Sequence, residues 1–172
     1  PFRDGIREYM KTYAYDNAVW NDLVTILDKR TEADLLKWSE VWVNQPGRPI
    51  IEASINYEEG AIKSFDLAQK AENGTDLIWP QVFTVDLIYS DEVKTIPVTL
   101  EEKSVIVEKA VGLKKPQAII YNANGYGYGV FPVDESSLDL ISSMKDEVAR
   151  ASAYTNIYEN ILSGNLDVTQ GM

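Results

Sequence analysis

The sequence predicts an α+β chain, mainly β, in which a central antiparallel β-sandwich of about seven strands is flanked by amphipathic helices at both ends. Two changes of hydrophobic period predict it: helical spacing gives way to a period of two near residue 50 and returns near residue 134. A third observation sets the strand direction. The breaks between the period-two runs are short and polar, which leaves no room for the helical crossovers that parallel neighbours require.

From Phe2 to Val43 apolar residues recur at helical spacing, with Ile6, Met10 and Tyr13 on one stripe and Trp20, Leu23, Val24 and Leu27 on the next. A third helix is expected to open at Thr31-Glu32-Ala33-Asp34, the threonine accepting from first-turn amides, with Leu35, Trp38 and Trp42 on its apolar face. Asn44-Gln45-Pro46-Gly47-Arg48-Pro49 then stops the helical run, because each proline lacks an amide donor and restricts the residue before it. Strands are expected at 50 to 57, 61 to 69, 81 to 90, 93 to 100, 103 to 109, 117 to 122 and 128 to 133. Turns fall at Glu58-Glu59-Gly60, Asn73-Gly74, Ser90-Asp91-Glu92 and Glu101-Glu102-Lys103. An Ig-like sandwich of roughly 85 residues fits this count, with a small barrel as the alternative. Two closing helices follow, one through Leu138 and Ile141, the other packing Val148, Ala151, Tyr158, Ile161 and Leu162, with Gly164 as its terminating cap. The tail from Asn165 to Met172 has little apolar pattern and is expected to fray.

Composition narrows the chemistry. Of 172 residues 45 % are hydrophobic, 25 % charged and 10 % aromatic, values that support a packed core and exclude disorder and collagen. There is no cysteine and no histidine, which removes disulfides, thiol nucleophiles, histidine bases and the common zinc ligand sets. Sixteen basic against 27 acidic residues give a net charge of -11, unfavourable for nucleic acid and for anionic membrane surfaces. No apolar run reaches the roughly 18 to 20 residues that a membrane span needs. The start reads as trimmed, with Pro1 in place of a methionine and signal region, and the compartment stays open. Helices of about 12 residues are marginal alone, so each helical zone must either dock on the sandwich or belong to a larger helical domain. Tryptophans exposed by such a cut would favour dimerisation.

Phe2-x-x-Gly5-Ile6-x-x-Tyr9, Tyr15-x-Asn17-Ala18-x-Trp20-x-Asp22-Leu23, Trp38-Ser39-x-x-Trp42 and Gly47-x-Pro49 occur in that order. This order resembles the closing helices of the catalytic domain in the aminopeptidase N family of zinc metallopeptidases, followed by the glycine-proline entry to its β-sandwich. Asn122-Ala123-Asn124-Gly125-Tyr126-Gly127-Tyr128, then Asp134, is similar to the end of that sandwich, and Val148-Ala149-Arg150-Ala151 with Ile161-Leu162-x-Gly164 to the first helices of the C-terminal domain. The resemblance implies three parts: residues 1-46 ending a peptidase domain, 47-133 a β-sandwich domain, and 134-172 opening a helical domain. It differs where family members usually carry arginine after the glycine-tyrosine pair, since Gly129 and Val130 stand there. The family's His-Glu-x-x-His helix, its downstream glutamate, its Gly-x-Met-Glu-Asn strand and its transition-state tyrosine have no counterpart, so no catalytic, cofactor-binding or metal residue is assigned. What the resemblance implies is a non-catalytic scaffold fragment with no cofactor of its own. Zinc is expected only in the full-length parent, as are the missing catalytic and helical domains and a peptide substrate.

Other groups invite sharper readings. Gly125-Tyr126-Gly127-Tyr128-Gly129 has the alternate glycines of an anion loop, but Val130-Phe131-Pro132-Val133 reads as strand where a helix should open, so a turn or bulge is expected. Tyr126 and Tyr128 beside Asn122 and Asn124 also form a candidate sugar platform, the basis of the alternative that the chain is a stand-alone binding module for carbohydrate or protein. The acidic pairs Glu58-Glu59, Glu101-Glu102 and Asp134-Glu135 are read as solvated turns before acid-base pairs or calcium ligands. Ser142 stands three residues before Lys145 as in a lysine-activated serine, with helix surface expected, and Ser39, Ser136 and Ser137 have no base to activate them. Trp20, Trp38 and Trp42 are expected to pack in a core, and Arg150 to pair with an acid across a domain junction.

Overall fold

The computed structural model describes residues 1–167, which divide into two compact units, one over Pro1–Pro46 and one beginning at Gly47. The first is helical: α1 over Phe2–Thr12, α2 over Trp20–Asp28 and α3 over Leu35–Ser39, the last running into a π-helical turn at Glu40–Asn44. The Asp22 carboxylate accepts from the Val19 amide at 2.9 Å and so closes the entry to α2. The start of α3 lies three residues later than the sequence predicts. Asp34, not Thr31, is its cap, accepting from the Lys37 amide at 2.8 Å, while the Thr31 hydroxyl takes the Ala33 amide ahead of the helix. The tryptophans also differ from expectation, since none of Trp20, Trp38 and Trp42 is fully buried. Trp38 and Trp42 stack on each other with ring centroids 6.4 Å apart, and the Trp20 indole donates to Ser39 Oγ at 2.6 Å. Helices this short have too little surface to enclose an indole, and the fully buried tryptophan is Trp79 in the other unit.

The second unit is an antiparallel β-sandwich of two three-stranded sheets followed by helices. One sheet has the order β1-β2-β5, from Pro49–Glu58, Ala61–Ala71 and Ser104–Ile106; the other has β4-β3-β6, from Val93–Leu100, Gln81–Ile88 and Ala118–Tyr121. Strand alternation sends Phe65 and Leu67 of β2 and Phe83, Val85 and Leu87 of β3 into the space between the sheets. There Phe83 meets Phe131 edge-on at 5.0 Å and Phe65 meets Tyr121 edge-on at 6.3 Å.

Among the described residues six strands form where about seven are expected. The segment 128 to 133 makes an isolated parallel bridge instead of a strand, Val130 donating to the Pro49 carbonyl at 2.9 Å and its own carbonyl accepting from Ile51 at 2.8 Å. Pro132 has no amide to continue the ladder, and burial of the Phe131 ring pins the segment without one. The run 103 to 109 likewise pairs only through Ser104–Ile106 before a 3-10 turn at Glu108–Ala110 buries Ala110.

After Asp134 come a 3-10 turn at Glu135–Ser137, the short helix α4 over Leu138–Ile141 and the 16-residue helix α5 over Glu147–Leu162. Gly164, at φ +71°, ends α5 as expected. The face that α5 buries is not the predicted one. Ala149, Ser152, Ala153, Asn156, Ile157 and Asn160 point inward, while Val148, Tyr158 and Leu162 are exposed. Of these, Ala149, Ala153 and Ile157 join Ile120, Ala123 and Ile141 in a second apolar cluster on the outer face of the β4-β3-β6 sheet. Leu166 also packs there, and the Asn165 and Leu166 amides donate to the Asn160 carbonyl, so 165 and 166 are held rather than frayed; the expected fraying at 168 to 172 lies outside the described residues.

Gly129 tests how tightly the bridge is fixed. It sits at φ +128°, and a β-carbon there would lie 2.3 Å from the Pro49 carbonyl oxygen, whereas one on Gly125, at φ +68°, would meet nothing within 4 Å. Gly129→Ala is expected to cost about 3 kcal/mol, from clash plus backbone strain, against about 1 kcal/mol for Gly125→Ala, read as the difference in urea unfolding midpoints.

Candidate functional site

The seam between the sandwich and α5 concentrates the polar side chains of the second unit. The Asp146 carboxylate caps α5 by accepting from the Val148 and Ala149 amides at 2.9 and 3.0 Å. Three side chains on successive turns of the helix then reach backbone carbonyls: Ser152 donates to Asn122 at 2.6 Å, Asn156 to Tyr121 at 2.9 Å and Asn160 to Phe131 at 2.7 Å. All three side chains are buried, and the bonds satisfy polar groups that burial would otherwise penalise. At the far end Arg48, just before β1, makes a two-point contact with Glu72, 3.0 Å on each arm, and reaches Glu159 of α5 at 2.5 Å. Hydrogen bonds to Glu72 first, and to Glu159 second, hold the guanidinium even more firmly in its charged form.

The candidates singled out in the sequence fall mostly outside this seam. Asn122 and Asn124 spend their amides on the loop and on β3: Asn122 accepts from the Gly127 amide at 2.8 Å and donates to its carbonyl at 3.0 Å, and Asn124 Oδ1 accepts from the Thr84 amide of β3 and the Tyr126 amide. The glycine-tyrosine loop is thus a braced turn with Tyr126 exposed, and Val130 follows it as a bridge residue, not as a helix start. Glu58 pairs with Lys63 on the surface. Asp134 is not a solvated turn residue. Its carboxylate accepts from the Ile119 amide at 2.8 Å and from the Ser136 amide and hydroxyl, tying β6 to the turn that opens the helices. Ser142 and Lys145 are both exposed, but they lie in the connection between α4 and α5 and not on the helix surface expected for them. Arg150 donates to the Met144 carbonyl in the connection just ahead of α5, and the cross-seam ion pair belongs to Arg48.

Two functional groups escaped the sequence reading. Arg48 was hidden in the proline-rich break, where nothing local points to Glu159, 111 residues away. Asp86 of β3 is buried, and its Oδ1 has no hydrogen-bond partner. Burial pushes the Asp86 carboxyl above the usual carboxylate range, the nearby charge of Asp146 adds to the rise, and the Thr95 hydroxyl opposes it. The signal in the sequence was an acid in the outward register of β3, between Thr84 and Ile88.

Zinc, which the family resemblance implies for a parent enzyme, does not fit this chain: the sequence has no histidine or cysteine, and among the described residues no group of three or more acids is arranged to hold a metal ion. No helix among the described residues is long and apolar enough to cross a membrane.

Two measurements follow from this geometry. Asn156→Ala and Asn160→Ala each strand a buried carbonyl and are expected to cost about 1–3 kcal/mol in chemical unfolding, whereas Tyr158→Ala on the exposed face should stay within about 0.5 kcal/mol. Because the folded-state pKa of Asp86 is raised, the native protein holds this proton where the unfolded chain has released it. Stability relative to Asp86→Asn is therefore expected to fall as pH rises from about 4 through the raised value, and to level off above it, in melting temperatures taken across that range.

No family model matches the chain. It is 24 % identical over 157 residues to an aminopeptidase N of Streptomyces lividans, an alignment covering 82 % of this chain and 18 % of that protein. It is 22 % identical over 176 residues to tricorn protease-interacting factor F2 of Thermoplasma volcanium, covering 98 % of this chain and 20 % of the relative. It is 23 % identical over 167 residues to a leucyl aminopeptidase of Saccharolobus solfataricus, covering 96 % and 20 %. The chain spans at most 20 % of the length of these relatives. Low identity maintained across nearly the whole chain, over a sandwich with helices before and after it in sequence, marks a distant homologue of the aminopeptidase N peptidases.

Proposed function

We propose that this chain is a non-catalytic scaffold segment of a zinc-dependent aminopeptidase, with residues 1-46 ending the peptidase domain, 47-133 forming the sandwich and 134-172 opening a helical domain. The observation that carries this reading is coverage: alignments take in 82–98 % of this chain and only 18–20 % of each relative, as expected of an internal portion. The seam supplies the physical basis for a scaffold. Arg48 and the α5 asparagines hold the helix in fixed register on the sandwich, so a helical domain grown from α5 would inherit that orientation. The exposed Val148, Tyr158 and Leu162 form the face that further helices would cover. In the intact enzyme, zinc-activated water would attack the first peptide bond of a substrate with a free N-terminus, in a domain other than the sandwich.

The reading is tested on the gene and on the protein. The reading frame is expected to encode His-Glu-x-x-His and a downstream glutamate ahead of Phe2; a native product of about 172 residues, by mass in source cells, would refute the fragment account. The purified chain is expected neither to retain zinc nor to release p-nitroaniline from leucine p-nitroanilide, and stoichiometric zinc with turnover would overturn the non-catalytic assignment.

A further inference from the structure

The outer face of the β4-β3-β6 sheet is only partly roofed by the helices. Between the β3-β4 hairpin and the junction of α4 with α5 lies a cleft of about 650 Å³. Its walls are apolar where Ile88, Ile120, Leu140 and Met144 line it. Its charge is acidic: Asp86, Asp91, Glu92 and Asp146 line it against the single cation Lys145. Asp86 lines the cleft, is 6 % exposed, and has a buried Oδ1 with no hydrogen-bond partner. The strand register explains the placement. Asp86 pairs with Thr95 of β4 and Ile120 of β6, on the face opposite the inward Val85 and Leu87.

We propose that this cleft binds a primary alkylammonium group carried on an apolar stem. The ammonium supplies the donor that Asp86 Oδ1 lacks, with Asp146 as the second acid, while Ile120, Leu140 and Met144 cover the stem. A neutral alcohol of the same length satisfies the walls but not the charge, and an anion meets four carboxylates. Binding discharges the cost that isolation imposes on Asp86, whose carboxyl burial already pushes upward. Occupation of this cleft uses only residues of the sandwich unit and is independent of any peptidase domain.

The test is a titration of the full chain with n-hexylammonium and n-hexanol at pH 7 and low salt, followed by amide NMR and calorimetry. Hexylammonium is expected to bind in about the millimolar range and at least about tenfold more tightly than hexanol, shifting the Thr95, Ile120 and Met144 amides. Asp86→Asn is expected to remove that preference, and Asp146→Asn, which keeps the helix cap, to weaken hexylammonium about threefold. Equal affinity for amine and alcohol, shifts centred elsewhere, or unchanged affinity in the Asp86 variant would overturn the proposal. If Asp86→Asn does not fold, Asp146→Asn decides: affinity equal to wild type overturns it. Tighter binding of N-acetyl-lysine amide than of n-butylammonium assigns the group to a protein side chain, and the reverse order to a free amine.

Discussion

The closing helix sits where it does because three backbone carbonyls, those of Tyr121, Asn122 and Phe131, accept hydrogen bonds from its buried side chains. These carbonyls lie where β6 ends and where the chain returns to bridge β1, places at which a regular ladder stops. A wholly apolar helix face laid over them would bury acceptors without partners, at a cost comparable to the gain from covering the sheet. Serine and asparagine at helical spacing remove that conflict, with Ala149, Ala153 and Ile157 supplying the apolar contact between them. The Arg48 contact with Glu72 and Glu159 then ties the opposite end of the helix to the hairpin of β1 and β2.

The same principle explains the contrast between Asp134 and Asp86. Both are acids near the second sheet, but Asp134 receives the Ile119 amide and the Ser136 amide and hydroxyl, so its negative charge is used to turn the chain out of β6. Asp86 has one unpartnered oxygen beside a cleft with apolar walls. A buried acid of the first kind is structural cement. One of the second kind is a standing electrostatic cost that a scaffold has no structural reason to retain, and that contrast separates the seam from the cleft even though one helix borders both.

Much of the architecture was legible because it follows from local period. The strands at 61 to 71 and 93 to 100 can be read from alternating Phe65 and Leu67, and Ile96 and Val98, since a period of two leaves one face apolar and fixes register with it. The turn at Gly164 was legible for the same local reason, a backbone with φ above zero. Residues 128 to 133 were misread as strand because apolar content there serves the Phe131 ring, while pairing is limited by Pro132, and hydrophobicity does not distinguish the two. The tryptophans of the first unit were misread because helical spacing says which residues share a face and not whether anything covers it.

By itself the sequence determined the order of helical, β and helical segments, the absence of thiol and imidazole chemistry, and a net charge of -11, all of which depend on residue identity or near neighbours alone. Tertiary structure decided which face of α5 turns inward, which arginine crosses the seam and which carboxylate keeps an oxygen without a donor. Each of those outcomes joins residues far apart in the chain, as Arg48 and Glu159 or Asn122 and Ser152 are, and depends on where a backbone carbonyl or a charge ends up in space. The cost of a buried polar group is set by its partners after folding, and no local pattern of hydrophobicity carries that information.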